Sequence, residues 1–205
     1  MIRAGAATPA VAFPIATGAA PAAPDGEAEL VERVRHGDGR AFDTLVTRYM
    51  HRAFSVAFRV LGQKEDAEDL VQDTFMVVLQ RIDSFEPGRA FAPWFFRILV
   101  NRGLNARKAR ALRTVDEIPE TASSQGPSPE REAERAELRD RLAAALATLP
   151  QRQKLVVELF ELEGFSGPEI AQIMEISDGT VRWHLHEARK ALRQALAPYE
   201  RSREE

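Results

Sequence analysis

The chain contains no cysteine, which removes disulfide frameworks and thiolate metal sites from consideration. It has no apolar run near the roughly 18 residues that a membrane helix requires. Histidine is scarce, with only His36, His51, His184 and His186. His184 and His186 stand two apart, so a helix points them to nearly opposite sides, unlike the i, i+4 pair that shares a metal. His36 lies in a polar turn and His51 has no carboxylate partner in view. There is no glycine-rich phosphate loop and no nucleophile elbow. These absences lead to the expectation of a soluble cytoplasmic protein with no metal, no cofactor and no catalytic site, and so not an enzyme.

A basic excess, usual in proteins that bind nucleic acid, is also missing: the net charge over 205 residues is −3. The charge is instead partitioned. Between Arg97 and Arg113 lie six cations, Arg97, Arg102, Arg107, Lys108, Arg110 and Arg113, and no acid. From Arg182 to Arg193 bases again outnumber acids, with Glu187 the exception. Acids collect at 65–73 and 116–140. Separated faces of opposite sign suit one polyanionic partner and one basic partner.

No stretch of useful length alternates like a strand. Hydrophobic residues make up 44% of the chain, enough for one ordinary domain or two small ones. The expected architecture is all-α: two small helical domains joined by a flexible linker. Residues 1–26, rich in Ala and Pro, read as a disordered tail. Residues 27–113 form one helical block. Residues 114–134, with IPETASSQGPSPE, read as the linker. Residues 135–198 form a second block closed by Pro198, and 199–205 a short tail.

In the first block, Val71, Phe75, Val78 and Ile82 recur at helical spacing as one apolar stripe. Asp66, Asp69 and Asp73, flanked by Glu68 and Gln72, lie opposite. Taken alone, this acidic face fits either a solvated, well-capped surface or a docking surface. Phe85–Ala92 reads as a loop, with Pro93 in the first turn of the next helix. Trp94, Phe95, Ile98 and Leu99 pack inward from that helix. Arg97, Asn101, Asn105 and Lys108 share its polar face, and the cations repel one another unless something anionic arrives.

The second block holds GFSGPEIAQIMEISDGTVRWHLHEARKALRQAL. Ser166 and Glu169 make a capping box, and Ile170, Ala171, Ile173 and Met174 a short amphipathic helix. A break at Glu175–Gly179 follows, with Ser177 or Asp178 available to cap the next helix. That helix carries a second stripe, Val181, Leu185, Ala188 and Leu192. A short helix, a tight turn and a second helix is the helix-turn-helix layout, whose second helix enters the major groove. Arg182, His186, Arg189 and Arg193 repeat on its outer face. Arg182 suits guanine O6 and N7, while Arg189, Lys190 and Arg193 suit phosphates. Trp183 is expected to be exposed beside them, facing thymine methyls or the sugar backbone. The helix after Pro150 buries Leu155, Val156, Leu159 and Phe160 as a brace.

With these residues in view, LATLPQRQKLVVELFELEGFSGPEIAQIMEISDGTVRWHLHEARKAL resembles region 4 of the extracytoplasmic-function (ECF) sigma factors. The stretch from AFDTLVTRYMHRAF to DAEDLVQDTFMVVLQRIDSF, continuing through FAPWFFRILVNRGLNARKAR, resembles their region 2. The resemblance implies a factor that binds core RNA polymerase and directs initiation at promoter DNA. It implies that Asp66, Asp69, Gln72 and Asp73 dock on the β′ clamp helices, and that the β flap is a further contact. Phe85 and Arg89 would belong to the loop that captures a flipped −10 base, with Arg97, Asn101, Asn105 and Lys108 holding the strand. Arg182, Trp183, His186, Arg189, Lys190 and Arg193 would meet the −35 element. An anti-sigma factor is implied as regulator.

Several positions depart from the family. Arg97 and Ile98 stand where housekeeping relatives carry a tryptophan pair that wedges the duplex, so melting should demand a better promoter. Trp183, His184 and Glu187 replace residues the family often has, so its −35 sequence does not transfer. A spacer of roughly 16 base pairs spans about 55 Å. A linker of about 20 residues reaches ~70 Å extended but averages nearer ~25 Å as a coil, so the polymerase surface is expected to hold the domains apart. Two other readings compete: a polymerase-independent helix-turn-helix regulator, which leaves residues 60–110 idle, and a sigma mimic that sequesters an anti-sigma factor.

Overall fold

The structure, a computed structural model, describes residues 26–112 and 140–201. The expected linker, and all of the expected N-terminal tail except Gly26, lie outside those residues. The described elements are all helical, as expected. Helices α1 (Glu27–Arg35), α2 (Gly39–Leu61), α3 (Lys64–Arg81) and α4 (Phe91–Ala111) form the first domain, with a 3-10 turn at Ile82–Ser84 before α4. Helical residues 140–147 (α5), α6 (Gln151–Glu161), α7 (Gly167–Met174) and α8 (Asp178–Arg201) form the second.

Helix α2 begins and ends for local reasons. The Asp38 carboxylate caps α2, accepting from the amides of Arg40 and Ala41 at 3.0 and 3.2 Å. Arg33 pairs with the same carboxylate at 2.6 Å, and its hydrogen bond, followed by the Ala41 amide, holds the Asp38 pKa below the ordinary carboxylate value. Gly62 stops α2 with φ 78°, a left-handed cap that a Cβ would strain. Along α2 the buried residues Ala41, Leu45, Tyr49, Ala53, Val56 and Val60 step by three or four and give one apolar stripe.

That stripe meets α3 and α4 over an aromatic core. Tyr49 lies 5.4 Å from Phe91 and 5.3 Å from Phe95, and Phe75 lies 5.0 Å from Phe95, measured between ring centroids. Burying a phenylalanine contributes about 1.5–3 kcal/mol, so this cluster dominates the domain. The Tyr49 hydroxyl donates to the buried carboxylate of Glu27, which pins α1 onto α2. Burial and that carboxylate raise the Tyr49 pKa, so the hydroxyl stays a donor. Gly103 marks the crossing of α2, α3 and α4: a Cβ there would come within 2.9 Å of Leu70 Cδ2 and Val60 Cγ1.

In the second domain the capping box forms. Ser166 Oγ accepts from the Glu169 amide while the Glu169 carboxylate accepts from the Ser166 amide at 2.8 Å. Ser177 Oγ accepts from the Thr180 amide at 3.0 Å, capping α8 as the sequence suggests. The turn between α7 and α8 is made by Glu175, at φ 53° and ψ 47°. Val181, Leu185 and Ala188 of the expected stripe are buried.

Three expectations are revised. The loop is shorter than Phe85–Ala92, because α4 starts at Phe91. Pro198 does not close the second domain: α8 continues to Arg201. A proline lacks only its own amide donor, and the amides of residues 199–201 are matched by carbonyls four residues earlier, ahead of the proline. The cations of α4 are also not left facing one another. Acids of α3 reach them, as described below.

The two domains pack together. Phe165, ahead of α7, inserts against Phe96 of α4, and α7 lies along α4. Phe96 is fully buried, although its place beside the inward-facing Phe95 gave no sequence reason for this. The second domain supplies the cover.

Candidate nucleic-acid interfaces and acidic docking face

The outer face of α8 gathers Arg182, His186, Arg189, Lys190 and Arg193 along one groove of about 450 Å³, floored by Leu185. Five of the six residues expected to meet duplex DNA thus line a common surface. Trp183 stands beside the groove, 54% exposed as expected, and its ring lies 4.9 Å from that of His184. An indole left this open forgoes burial, which suits it to a planar or methyl-bearing partner. Arg182 pairs with Asp178 at 3.1 Å and Arg189 with Glu161 at 3.1 Å. Both pairs are open to solvent and are worth little. The partly covered His184 has its pKa lowered by burial and by Arg152, and its Nδ1 is buried without a partner among the described residues.

The second cationic surface is split by the tertiary structure. Phe85, Arg89 and Arg97 line a cleft of about 440 Å³ with Trp94 and Pro93. Phe85 is 4% exposed, with its ring 5.2 Å from Trp94 and 5.6 Å from Phe91. It is therefore a wall of this cleft and not a projecting side chain. Arg89 pairs with Glu86 at 2.5 Å across the loop. Arg35, which the sequence did not single out, anchors this loop: its guanidinium donates to the carbonyls of Ile82, at 3.2 Å, and of Phe85. No periodic signal marks Arg35, because its partners are backbone atoms far along the chain.

Asn101 lies on the same face of α4, and its Nδ2 donates to Glu175 Oε2 of the other domain at 2.9 Å. Asn105 belongs elsewhere. It lines a groove of about 660 Å³ with Asp66, Asp69 and Asp73 of α3 and with Arg102, Arg107 and Arg110 of α4. Lys108 is exposed. Among the described residues, neither Arg97 nor Lys108 makes an ion pair.

The acidic face is therefore adjacent to the basic one. Asp73 accepts from Arg102 at 2.8 Å, and Asp66 from Arg110 at 2.9 Å. Asp69 and Gln72 are exposed, and among the described residues neither makes an ion pair or hydrogen bond through its side chain. The face thus has a committed part, Asp66 and Asp73, and an open part, Asp69 and Gln72. Among the described residues no three potential metal ligands converge and no helix is long and apolar enough to cross a membrane.

The sequence matches two family descriptions in this order: Sigma-70 region 2 over residues 45–113 and Sigma-70, region 4 over residues 139–192. It is 32% identical to the RNA polymerase sigma-H factor of Pseudomonas aeruginosa, over 83% of this chain and 93% of that protein. To the ECF RNA polymerase sigma-E factor of Escherichia coli K12 it is 36% identical, over 82% of this chain and 93% of the relative. Among solved structures, CnrH in complex with the cytosolic domain of CnrY is similar with a TM-score of 0.63 and 30% identity, covering 85% of this chain and 99% of CnrH. The sigma factor RpoE of Bartonella quintana, in complex with the anti-sigma factor NepR, gives a TM-score of 0.62 at 25% identity, covering 76% of this chain and 96% of that one.

Proposed function

The chain belongs to the extracytoplasmic-function sigma factors, and from that premise we propose how its surfaces divide the work of initiation. As an ECF-type sigma factor it binds core RNA polymerase and directs promoter-specific transcription through −10 and −35 recognition. In our reading α8 carries the −35 contacts, with Arg182 and Trp183 at base edges and His186, Arg189, Lys190 and Arg193 toward the backbone. The cleft of Phe85, Arg89 and Arg97 takes the −10 strand together with Asn101. Asn105 and Lys108 continue that track. Asp66, Asp69, Gln72 and Asp73 meet the β′ clamp helices, with Asp69 and Gln72 as the first contacts because they have no partner among the described residues to leave. The β flap is a further contact of the second domain.

The observation that carries this reading is the single groove of Arg182, His186, Arg189, Lys190 and Arg193 on the second helix of a helix-turn-helix. The mechanism is positioning: two nucleic-acid surfaces and one polymerase surface, with no covalent chemistry assigned to any residue. The site of action is the cytoplasm, where polymerase and promoters are. An anti-sigma factor is the proposed regulator, supported by the RpoE relative solved with one. The boundaries 27–113 and 135–198 serve as working limits for the two functional domains.

The test is transcription in vitro with core polymerase, followed by mapping of 5′ ends. The expected result is a set of ends sharing two upstream elements. Failure to bind core polymerase in a pull-down would sink the reading.

A further inference from the structure

The match to Sigma-70 region 2 begins at residue 45, yet a residue ahead of it shapes the cleft assigned above to the −10 strand. Arg35 is the last residue of α1. Val31 and Val34 bury that helix in the core, and the bond from Tyr49 to Glu27 pins it on α2. The turn that follows is closed by Arg33 on Asp38. The place of Arg35 is therefore set by α1 and α2, independently of the loop it touches.

All three nitrogens of its guanidinium are engaged. Nε donates to the Ile82 carbonyl at 3.2 Å, Nη2 to the Phe85 carbonyl, and Nη1 to the Glu32 carboxylate at 3.3 Å. The two carbonyls bracket the 3-10 turn at the C-terminal end of α3, where backbone oxygens favour a cation. A planar fork meets two such oxygens at once, which the point charge of a lysine does not. The guanidinium carbon also lies 5.9 Å from the centroid of the Phe85 ring. With its side chain 14% exposed, Arg35 is committed within the protein and is not a surface cation waiting for phosphate.

The loop beyond has little else to hold it. Its own bonds are the Arg89 amide on the Glu86 carbonyl, at 3.3 Å, and the ion pair of the exposed Arg89 and Glu86 side chains. Gly88 turns the chain at φ 83°. Among the described residues no other side chain donates to the backbone of residues 82–90. Phe85 is thus held at its carbonyl by Arg35 and at its ring by Phe91 and Trp94. A ligand entering a cleft that is already formed does not pay for ordering the loop at that moment.

We propose that Arg35 is a positioning residue for the −10 strand: from α1 it locks the 3-10 turn and the Phe85 wall, so the cleft is formed before DNA arrives. The proposal rests on the assignment of that cleft to the −10 strand, and the experiment separates the two.

Holoenzyme made with the full chain is titrated into a forked duplex of the mapped promoter whose −10 segment is single-stranded. If Arg35→Lys and Arg35→Gln leave the cleft formed about a tenth of the time, binding weakens about tenfold. The slope of log K against log salt keeps its wild-type value, whereas losing a direct contact to a single-strand phosphate would lower it by about 0.7. Hydrogen exchange of the loop amides from Phe85 to Arg89 in the free chain quickens. Helical circular dichroism, association with core polymerase and binding to a −35 duplex stay unchanged. Unchanged exchange in both variants overturns the anchor. Faster exchange without weaker binding overturns the positioning role, and a lowered salt slope replaces it with a direct contact. Loss of helical signal in both variants overturns it as well, making Arg35 a residue of the fold alone. Should Arg89→Ala and Arg97→Ala also bind the fork at wild-type strength, the assignment of the cleft fails and the proposal with it, while faster exchange still establishes the anchor.

Discussion

Phe96 of the first domain and Phe165 of the second meet edge to face, with ring centroids 5.2 Å apart and planes at 70°. Both are buried, at 0% and 1% exposure, and Arg52 lies over both rings, at 5.1 and 3.9 Å from their centroids. An aromatic pair closed by a cation makes this interface part of the fold and not a chance touch of tethered bodies.

Phe165→Ala should therefore lower the unfolding free energy by about 3–5 kcal/mol, the usual cost of emptying a buried phenylalanine site. A double-mutant cycle with Phe96→Ala should return about 0.5–1.5 kcal/mol of coupling for the edge-to-face pair. Urea unfolding of the four proteins measures both, and a coupling near zero would show that the rings are independent.

Glu158 predicts a pH dependence. It is almost wholly buried on α6, its Oε2 has no partner among the described residues, and burial raises its pKa from 4.5 to about 7 despite the nearby Lys154 and Arg59. The folded state then binds the proton more tightly than the unfolded state, so stability falls as pH rises from about 4.5 to 7. The full loss is as much as ~3 kcal/mol at about 1.4 kcal/mol per pKa unit. Glu158→Gln should raise Tm at pH 8 and leave it near the wild-type value at pH 5. Equal effects at both pH values would show that the carboxylate is not the cause.

On α8, two substitutions should separate reading from holding. Arg182→Ala should cost about 1–3 kcal/mol on the mapped promoter and relax preference at one −35 position. Lys190→Ala should weaken binding to all sequences alike and reduce the slope of log K against log salt by about 1. Titrations of the holoenzyme at several salt concentrations, on matched and mismatched −35 duplexes, distinguish them.

Asp69→Lys is the cleanest probe of the acidic face. Asp66 and Asp73 also hold Arg110 and Arg102, so changing them disturbs α4, whereas Asp69 is exposed and holds no cation among the described residues. The expectation is at least tenfold weaker association with core polymerase, about 1.4 kcal/mol, with unchanged Tm and unchanged binding of the second domain to −35 duplex. A parallel fall in Tm would instead indicate a structural role.

Helix positions, the capping box at Ser166 and the exposed indole of Trp183 were legible because each depends on neighbours within a few residues. The cationic groove of α8 was legible for the same reason: its residues ride on one helix at constant spacing. The grouping of the polar residues of α4 was legible only in part. Arg97, Asn101 and Asn105 share a helix face, yet three-dimensional neighbours assign them to different surroundings, a cleft, a carboxylate and an acidic groove. Arg35 was missed because it acts on backbone carbonyls of another element.

Periodicity and cap chemistry by themselves determined an all-helical chain, its division into two blocks, and the cationic character of α8 and α4. The placement of one block on the other was decided only in three dimensions. The burial of Phe96, the ion pairs of Asp66 and Asp73 with α4, and the contacts of Glu163 and Glu175 with the first domain all join residues far apart in the chain. Helical spacing carries no information about such partners, since it repeats every three or four residues, whereas these pairs exist only where separate surfaces fit and exclude water.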